Sequence, residues 1–311
     1  MSPETIGATT QRPNMKPKIV VVGYDFSPAG ATAVKTALEL AQNVEAERIH
    51  LVHIVDRSVI DVPHPASIPP PDPTTLEANR KARAAQSLEA ITAANLHITR
   101  EVRSGIPARD LPEAVKDAGG DVVVVASRGH GAVYNALFGS VTNALVRSAP
   151  CPVLVVDEEH KNVDFSVVVA GVDLSPISRE VVELAVSYTK PGGHTELVSA
   201  YEPPLVMEDE DELLPRLPSE EDREAFRKAR ENAVRALIPD VQPMPKIGVE
   251  AFAKAPAANA LIDCAELLSA NLLVVGSSGH NAWHRFFIGS TTNRVLAAAP
   301  CPVLVVPHHH E

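Results

Sequence analysis

Short runs of aliphatic and β-branched residues alternate along the chain with longer stretches in which apolar positions recur every three or four residues. Residues 19–23, 48–55, 97–103, 122–126 and 153–156 read as strands. The run Val122-Val123-Val124-Val125 is continuously apolar, the pattern of a strand covered on both faces. Helical spacing occupies residues 29–43, 74–95, 108–118 and 140–148, and Leu76, Arg83, Ala84, Leu88 and Ile91 mark one face of the second of these. Alternating strands and helices predict an α/β fold, a five-stranded, mostly parallel sheet with helices on both faces. Two stretches break the rhythm and read as loops. One is the proline-rich 61–73; the other, 202–221, carries the acid run 208–212.

The pattern then repeats. Val20-Val21-Val22-Gly23-Tyr24-Asp25-Phe26-Ser27-Pro28 returns as Val168-Val169-Ala170-Gly171-Val172-Asp173-Leu174-Ser175-Pro176. Ala149-Pro150-Cys151-Pro152-Val153-Leu154-Val155-Val156 returns as Ala299-Pro300-Cys301-Pro302-Val303-Leu304-Val305-Val306. A tandem duplication follows, because self-similarity at a fixed period reports repeated structural units. The expected organisation is a tail at 1–17, a first domain at 18–157, a charged linker at 158–164, a second domain at 165–307 and a tail at 308–311. Ser27 and Ser175, each followed by proline, read as N-caps of the first helix of each copy. In the second copy, Phe226, Ala229, Ala233 and Leu237 are expected to share the face that answers the Leu88 stripe.

Composition narrows the function. Aromatic residues are only 4% of the 311, so the core must rest on Val, Leu, Ile and Ala. A net charge of −11 argues against a broad nucleic-acid surface, which needs basic residues to neutralise phosphates. The acidic excess falls mostly in the second half. Three cysteines do not make a disulfide framework, and Cys151 and Cys301 read as small apolar residues at the start of a buried strand. No apolar run approaches the roughly 18 residues a membrane span needs. The segment before Ile19 lacks the apolar core of a secretion signal, so a cytoplasmic location without a membrane partner is expected.

The candidate chemistry lies between the fourth strand and the fourth helix of each copy. The second copy reads Gly276-Ser277-Ser278-Gly279, nine residues, then Gly289-Ser290. The first reads Ala126-Ser127-Arg128-Gly129, nine residues, then Gly139-Ser140. Glycines allow positive φ and a close approach of backbone to ligand. The loop feeds a helix N-terminus, whose unpaired N–H groups and dipole favour an anion. The location, beyond the carboxyl ends of the strands, is where open α/β sheets bind ligands.

With Asp25 and Asp173, the glycine loops and the closing Pro-Cys-Pro-Val-Leu-Val-Val strands, the chain resembles a tandem universal stress protein. The resemblance implies two domains of the adenine-nucleotide α-hydrolase-like fold. In the ATP-binding branch of that family the glycines cradle ribose and phosphates, the aspartate lies beside the nucleotide, backbone of strand two contacts adenine, and magnesium accompanies the triphosphate. Carried over, that implies ATP with Mg²⁺ at Asp173, Gly276, Gly279, Gly289 and Ser290 in the second copy. In the first it implies Asp25, Gly129, Gly139 and Ser140. No catalytic residue is implied, and the metal's protein ligands are left unknown. The three glycines of the second loop favour that copy. Ala126 stands where the first copy lacks a glycine, and Lys254 stands in the second copy after strand three, where the first keeps Gly105. Ala126 would be harmless at negative φ; Lys254 would either block the pocket or meet an anion. The resemblance also implies that the last strands pair antiparallel, here within one chain as a pseudo-dimer, with a homodimer left open.

Each candidate has a plainer alternative. Asp25 and Asp173 would serve as caps of the first helices, Arg128 as an exposed loop residue, and His130 and His280 as surface histidines. Trp283, Phe286, Phe287 and Ile288 would pack on the core, and His308-His309-His310 would be a frayed end. The expected function is an ATP-binding stress-response regulator with an unidentified protein partner. The alternatives are a non-nucleotide interaction module or small-ligand carrier, and a slow ATPase or autophosphorylating protein. No Walker-type Gly-Lys-Ser/Thr supports the last.

Overall fold

The structure, a computed structural model, describes residues 16–57, 72–129, 138–160, 164–206, 216–278 and 288–308. Gly279, His130, His280 and the acid run 208–212 lie outside the described residues. So do Trp283, Phe286, Phe287, His309, His310 and most of the stretch 61–73.

The first copy places β1 (Ile19–Gly23), β2 (Arg48–Asp56), β3 (Ile98–Gly105), β4 (Val122–Ala126) and β5 (Val153–Val156) around α1 (Pro28–Val44), α2 (Pro73–Glu89), α3 (Pro107–Asp117) and α4 (Ser140–Ser148). The second repeats this with β6 (Val167–Gly171), β7 (His194–Tyr201), β8 (Lys246–Ala253), β9 (Leu272–Gly276) and β10 (Val303–Val306). Its helices are α5 (Ser178–Tyr188), α6 (Glu220–Arg235), α7 (Ala257–Leu267) and α8 (Ser290–Ala298). The ten strands form one sheet in the order β3-β2-β1-β4-β5-β10-β9-β6-β7-β8. Within each copy every pairing is parallel, as crossover helices require. At the centre β5 and β10 pair antiparallel, with Leu154 opposite Leu304. The two apolar last strands thus cover each other's edge inside one chain, as expected.

Alternation along the buried strands divides the core into two layers. Val20, Val22, Val122 and Val124 face the layer that holds α1 and α5; Val21, Val123 and Val125 face the layer of α3, α4, α7 and α8. The first layer runs without interruption through both copies. There Asn43 Nδ2 of α1 donates to the Tyr188 carbonyl of α5 at 2.8 Å.

Four expectations need correction. α2 ends at Glu89 rather than continuing to residue 95, because Arg100 takes the terminal carbonyls: its Nε donates to Leu88 O at 2.9 Å and its Nη2 to Ile91 O at 2.6 Å. Arg83 is exposed, and the buried positions of α2 are Ala84 and Leu88. In α6 Ala229 and Ala233 are exposed; Val234 is buried, with Arg230 half-buried one turn earlier. Alanine has little apolar surface to bury, so the larger Val234 sets which face turns inward. Finally, Ser27 caps α1, accepting from Gly30 N at 2.9 Å, but Ser175 caps nothing. The second copy inserts a tight turn, Ser178 N to Ser175 O at 3.0 Å, and α5 begins only at Ser178.

Candidate functional site

At the carboxyl ends of β1, β2 and β4, the first copy holds a cavity of about 1110 Å³. Asp25, Gly129, Gly139 and Ser140 all line it, so the structure brings together every candidate of the first copy. Its other walls are the end of β2 from His53 to Asp56, Arg80 and Arg83 on α2, and Ile106 to Ala108 after β3. The volume is at the upper end for a pocket that encloses a small organic ligand.

The loop from β1 to α1 positions the aspartate. Asp25 Oδ1 accepts from Ser27 N at 3.0 Å and from Ser27 Oγ at 2.6 Å, and Ser27 caps the helix. Asp25 therefore supports the cap without being the cap. The turn drives Phe26 to φ +62°, and Leu174 takes φ +65° at the matching place in the second copy. A left-handed non-glycine residue costs of order 1 kcal/mol or more, so both copies sustain strain to aim this loop.

The glycines act through space, not dihedral angle. Among the described glycines only Gly119 and Gly192 have positive φ, so the expected left-handed turn at the described loop glycines is not what the chain uses. A Cβ on Gly129 would lie 2.4 Å from Asp25 Oδ2, and one on Gly30 would lie 2.5 Å from Asp25 Oδ1. Two missing side chains thus admit the carboxylate. Gly30 was not anticipated; its position in the first turn of α1, five residues after Asp25, is the signal that marks it.

Downstream, Gly139 N donates to Ser127 O at 2.9 Å and closes the nine-residue loop. Thr142 Oγ1 donates to Ala126 O at 2.7 Å and ties the first turn of α4 to the end of β4. Gly139 carries no side chain to cap that helix. The N–H groups of Ser140, Val141 and Thr142 have no intrahelical acceptor, and these residues line the cavity. Ala126 has no positive φ, so its methyl carries no backbone penalty. Arg128 is exposed and does not line the cavity.

The base of the site is aromatic. Phe26 stacks obliquely on Tyr24 at 4.7 Å and on His53 at 4.6 Å. His53 Nδ1 is 2.7 Å from Tyr24 O; a carbonyl only accepts, so Nδ1 carries the proton. Burial holds the His53 pKa below its ordinary value, against smaller opposing effects of Tyr24 O and Asp25. The neutral ring then leaves Nε2 as an acceptor.

The second copy repeats the frame and changes its contents. Gly289 N donates to Ser277 O at 2.9 Å and Thr292 Oγ1 to Gly276 O at 2.6 Å, as in the first. Ser290 likewise opens α8, whose N-cap Gly289 has no side chain to offer. But Ser178 replaces Gly30, and its Oγ donates to Asp173 Oδ1 at 2.9 Å. Ile177 replaces Ala29, and a Cβ on Gly276 would lie 3.0 Å from its Cγ2. The absent side chain of Gly276 accommodates Ile177. Arg230, the counterpart of Arg83, donates from Nε to Ser199 Oγ and from Nη2 to Asp173 O, both at 2.9 Å. Lys254 stands where the first copy has Gly105 and takes φ +59°, its N–H bonded to Tyr201 O at 2.9 Å. Cys151, Cys264 and Cys301 are buried and unpaired, and burial pushes each thiol up to about 12. Ile288 packs into the second core layer.

The sequence profile of the universal stress protein family matches residues 16–157 and 164–307, one match per copy. The chain belongs to the universal stress protein family. A universal stress protein of Mycolicibacterium smegmatis is 30% identical over 301 residues, covering 92% of this chain and 96% of its own length. One from Mycobacterium tuberculosis is 30% identical over 305 residues, with the same shares covered. Among solved structures, a universal stress protein from Archaeoglobus fulgidus matches 93% of this chain and 96% of its own, with a TM-score of 0.65 at 19% identity. That likeness supports the fold of the whole tandem. No helix among the described residues is long and apolar enough to cross a membrane.

Proposed function

We propose that this universal stress protein is a nucleotide-binding regulator that holds ATP in the cavity of its first copy. The observation that carries the reading is the convergence of Asp25, Gly129, Gly139 and Ser140 on one cavity, where the start of α4 contributes three amides with no intrahelical acceptor. Phosphate oxygens suit those donors, because they satisfy N–H groups that the helix leaves open and align with its dipole. Such a site needs no positive net charge, which fits a chain at −11. The apolar and aromatic walls from Phe26 to His53 suit a base, and the end of β2 offers it backbone groups.

Magnesium fits this reading as a companion of the phosphates. No group of three or more His, Cys, Asp or Glu that would hold a metal exists among the described residues. Asp25 and Asp56 are the carboxylates that line the cavity among the described residues, and Mg²⁺ commonly binds through one or two carboxylates plus substrate phosphates. The residues' own part is to bind and orient: Asp25 fixes the β1–α1 loop, Gly129 leaves room for it, and Gly139–Thr142 present donors. Isothermal titration with Mg²⁺ and ATP tests the reading. Saturable heat that disappears in an Asp25→Ala protein that still folds is expected. No heat at millimolar nucleotide would refute it.

A further inference from the structure

The two copies share the loop frame yet differ at the place a ligand would enter. We propose that Arg230 is a built-in plug: its guanidinium closes the cleft of the second copy, so that a phosphate-bearing ligand enters the first copy alone. This deepens, and rests on, the nucleotide reading of the first-copy cavity.

Arg80-Lys81-Ala82-Arg83 on α2 returns as Arg227-Lys228-Ala229-Arg230 on α6, and the N-caps Asp72 and Ser219 keep the same register, so Arg230 stands where Arg83 does. In the first copy Arg83 lines the cavity together with Asp25 and His53. In the second, the equivalent guanidinium spans from α6 to both equivalents of those residues, bonding Asp173 O and Ser199 Oγ. Ser199 Oγ in turn donates to Val172 O, so the chain of donors is complete and the charge is tied to backbone at the ends of β6 and β7. Two smaller changes act in the same direction. Ile177 places a branched side chain against Gly276, and Ser178 supplies the Asp173 carboxylate with a hydroxyl where Gly30 leaves space. A ligand entering here would have to break the two bonds of Arg230 and displace Ile177 before gaining any contact. Gly276, the glycine that makes the second loop look better for phosphate in sequence, thus serves internal packing.

The test has two arms. Phenylglyoxal, which modifies accessible guanidinium groups, is applied to the full chain and read by peptide mass. Arg83 should react, and Arg230 should react about tenfold more slowly, the factor that ~1.4 kcal/mol of retained bonding gives. Equal rates would overturn the plug. In the second arm Mg²⁺-ATP is titrated into wild type, Asp25→Ala and the triple variant Arg230→Ala/Ile177→Ala/Ser178→Gly. One equivalent is expected for wild type, none for Asp25→Ala and two for the triple variant. Two equivalents in wild type, or one that survives Asp25→Ala, would overturn the proposal. So would a folded triple variant that still takes only one. If the triple variant fails to fold, the labelling of wild type decides. No ATP uptake anywhere, with Arg230 still protected, would refute the nucleotide reading and leave the closure standing.

Discussion

Replacing Val155 by proline attacks the seam that makes one molecule of two copies. Val155 lies opposite Val125 on one side and Val303 on the other, and only 3% of it is exposed. Because β5 is flanked by β4 and β10, its N–H belongs to a ladder whichever way it points. Proline removes that donor and leaves a buried carbonyl without its partner, a cost of about 1–3 kcal/mol. The altered side chain adds about 1 kcal/mol of lost packing. Strain from the pyrrolidine ring adds to both, so a loss of roughly 3–5 kcal/mol is expected. At about 2–4 °C per kcal/mol for units of this size, the melting temperature should fall by roughly 6–20 °C. Urea unfolding followed by circular dichroism measures it, with Val155→Ala as the comparison that keeps the N–H. A proline variant no less stable than the alanine variant, within about 0.5 kcal/mol, would refute the pairing.

Other outcomes follow from the same geometry. A fragment ending at residue 157 uncovers the apolar edge Val153–Val156 and should self-associate, which sedimentation would show; a monomeric fragment would contradict the seam's role. Gly129→Ala places a methyl 2.4 Å from Asp25 Oδ2, so ATP affinity should fall at least about tenfold in titration, with the fold retained. His53 has a pKa held down by burial, so it is neutral in the folded chain. Its contribution to stability is complete above its unfolded pKa near 6.5 and is lost as pH falls through the lower folded value. Urea midpoints between pH 7.5 and 5 should fall, and His53→Gln should flatten that fall; an unchanged slope would contradict it. Ser219 caps α6 in a reciprocal box with Asp222, and Ser219→Ala should cost about 1 kcal/mol in urea unfolding.

The frame of this protein was legible in its sequence because repetition and periodicity are local signals. Val122–Ala126, Val153–Val156 and Ser140–Ser148 have the bounds that their apolar runs and serine starts suggest. What stayed hidden depends on contacts between distant positions. Ser175 repeats the Ser-Pro of Ser27, but it does not cap, because a turn from Ser175 O to Ser178 N delays the start of α5 to Ser178. Gly276 resembles a ligand glycine more than Ala126 does, yet its open space is taken by Ile177, which no spacing rule connects to it. Arg83 and Arg230 recur in register on α2 and α6, but only the hydrogen bonds of Arg230 distinguish a plug from a cavity wall. The glycine of Gly129 was legible as a requirement, while its reason, room for the Asp25 carboxylate, was not.

The most direct test of the central claim is a crystal structure of the full chain grown with Mg²⁺ and a non-hydrolysable ATP analogue. The account predicts nucleotide density in the first copy, with phosphate oxygens within hydrogen-bonding distance of the Ser140–Thr142 amides and the second-copy cleft still closed by Arg230. Nucleotide in the second copy, or a first-copy cavity left empty at saturating analogue, would contradict it.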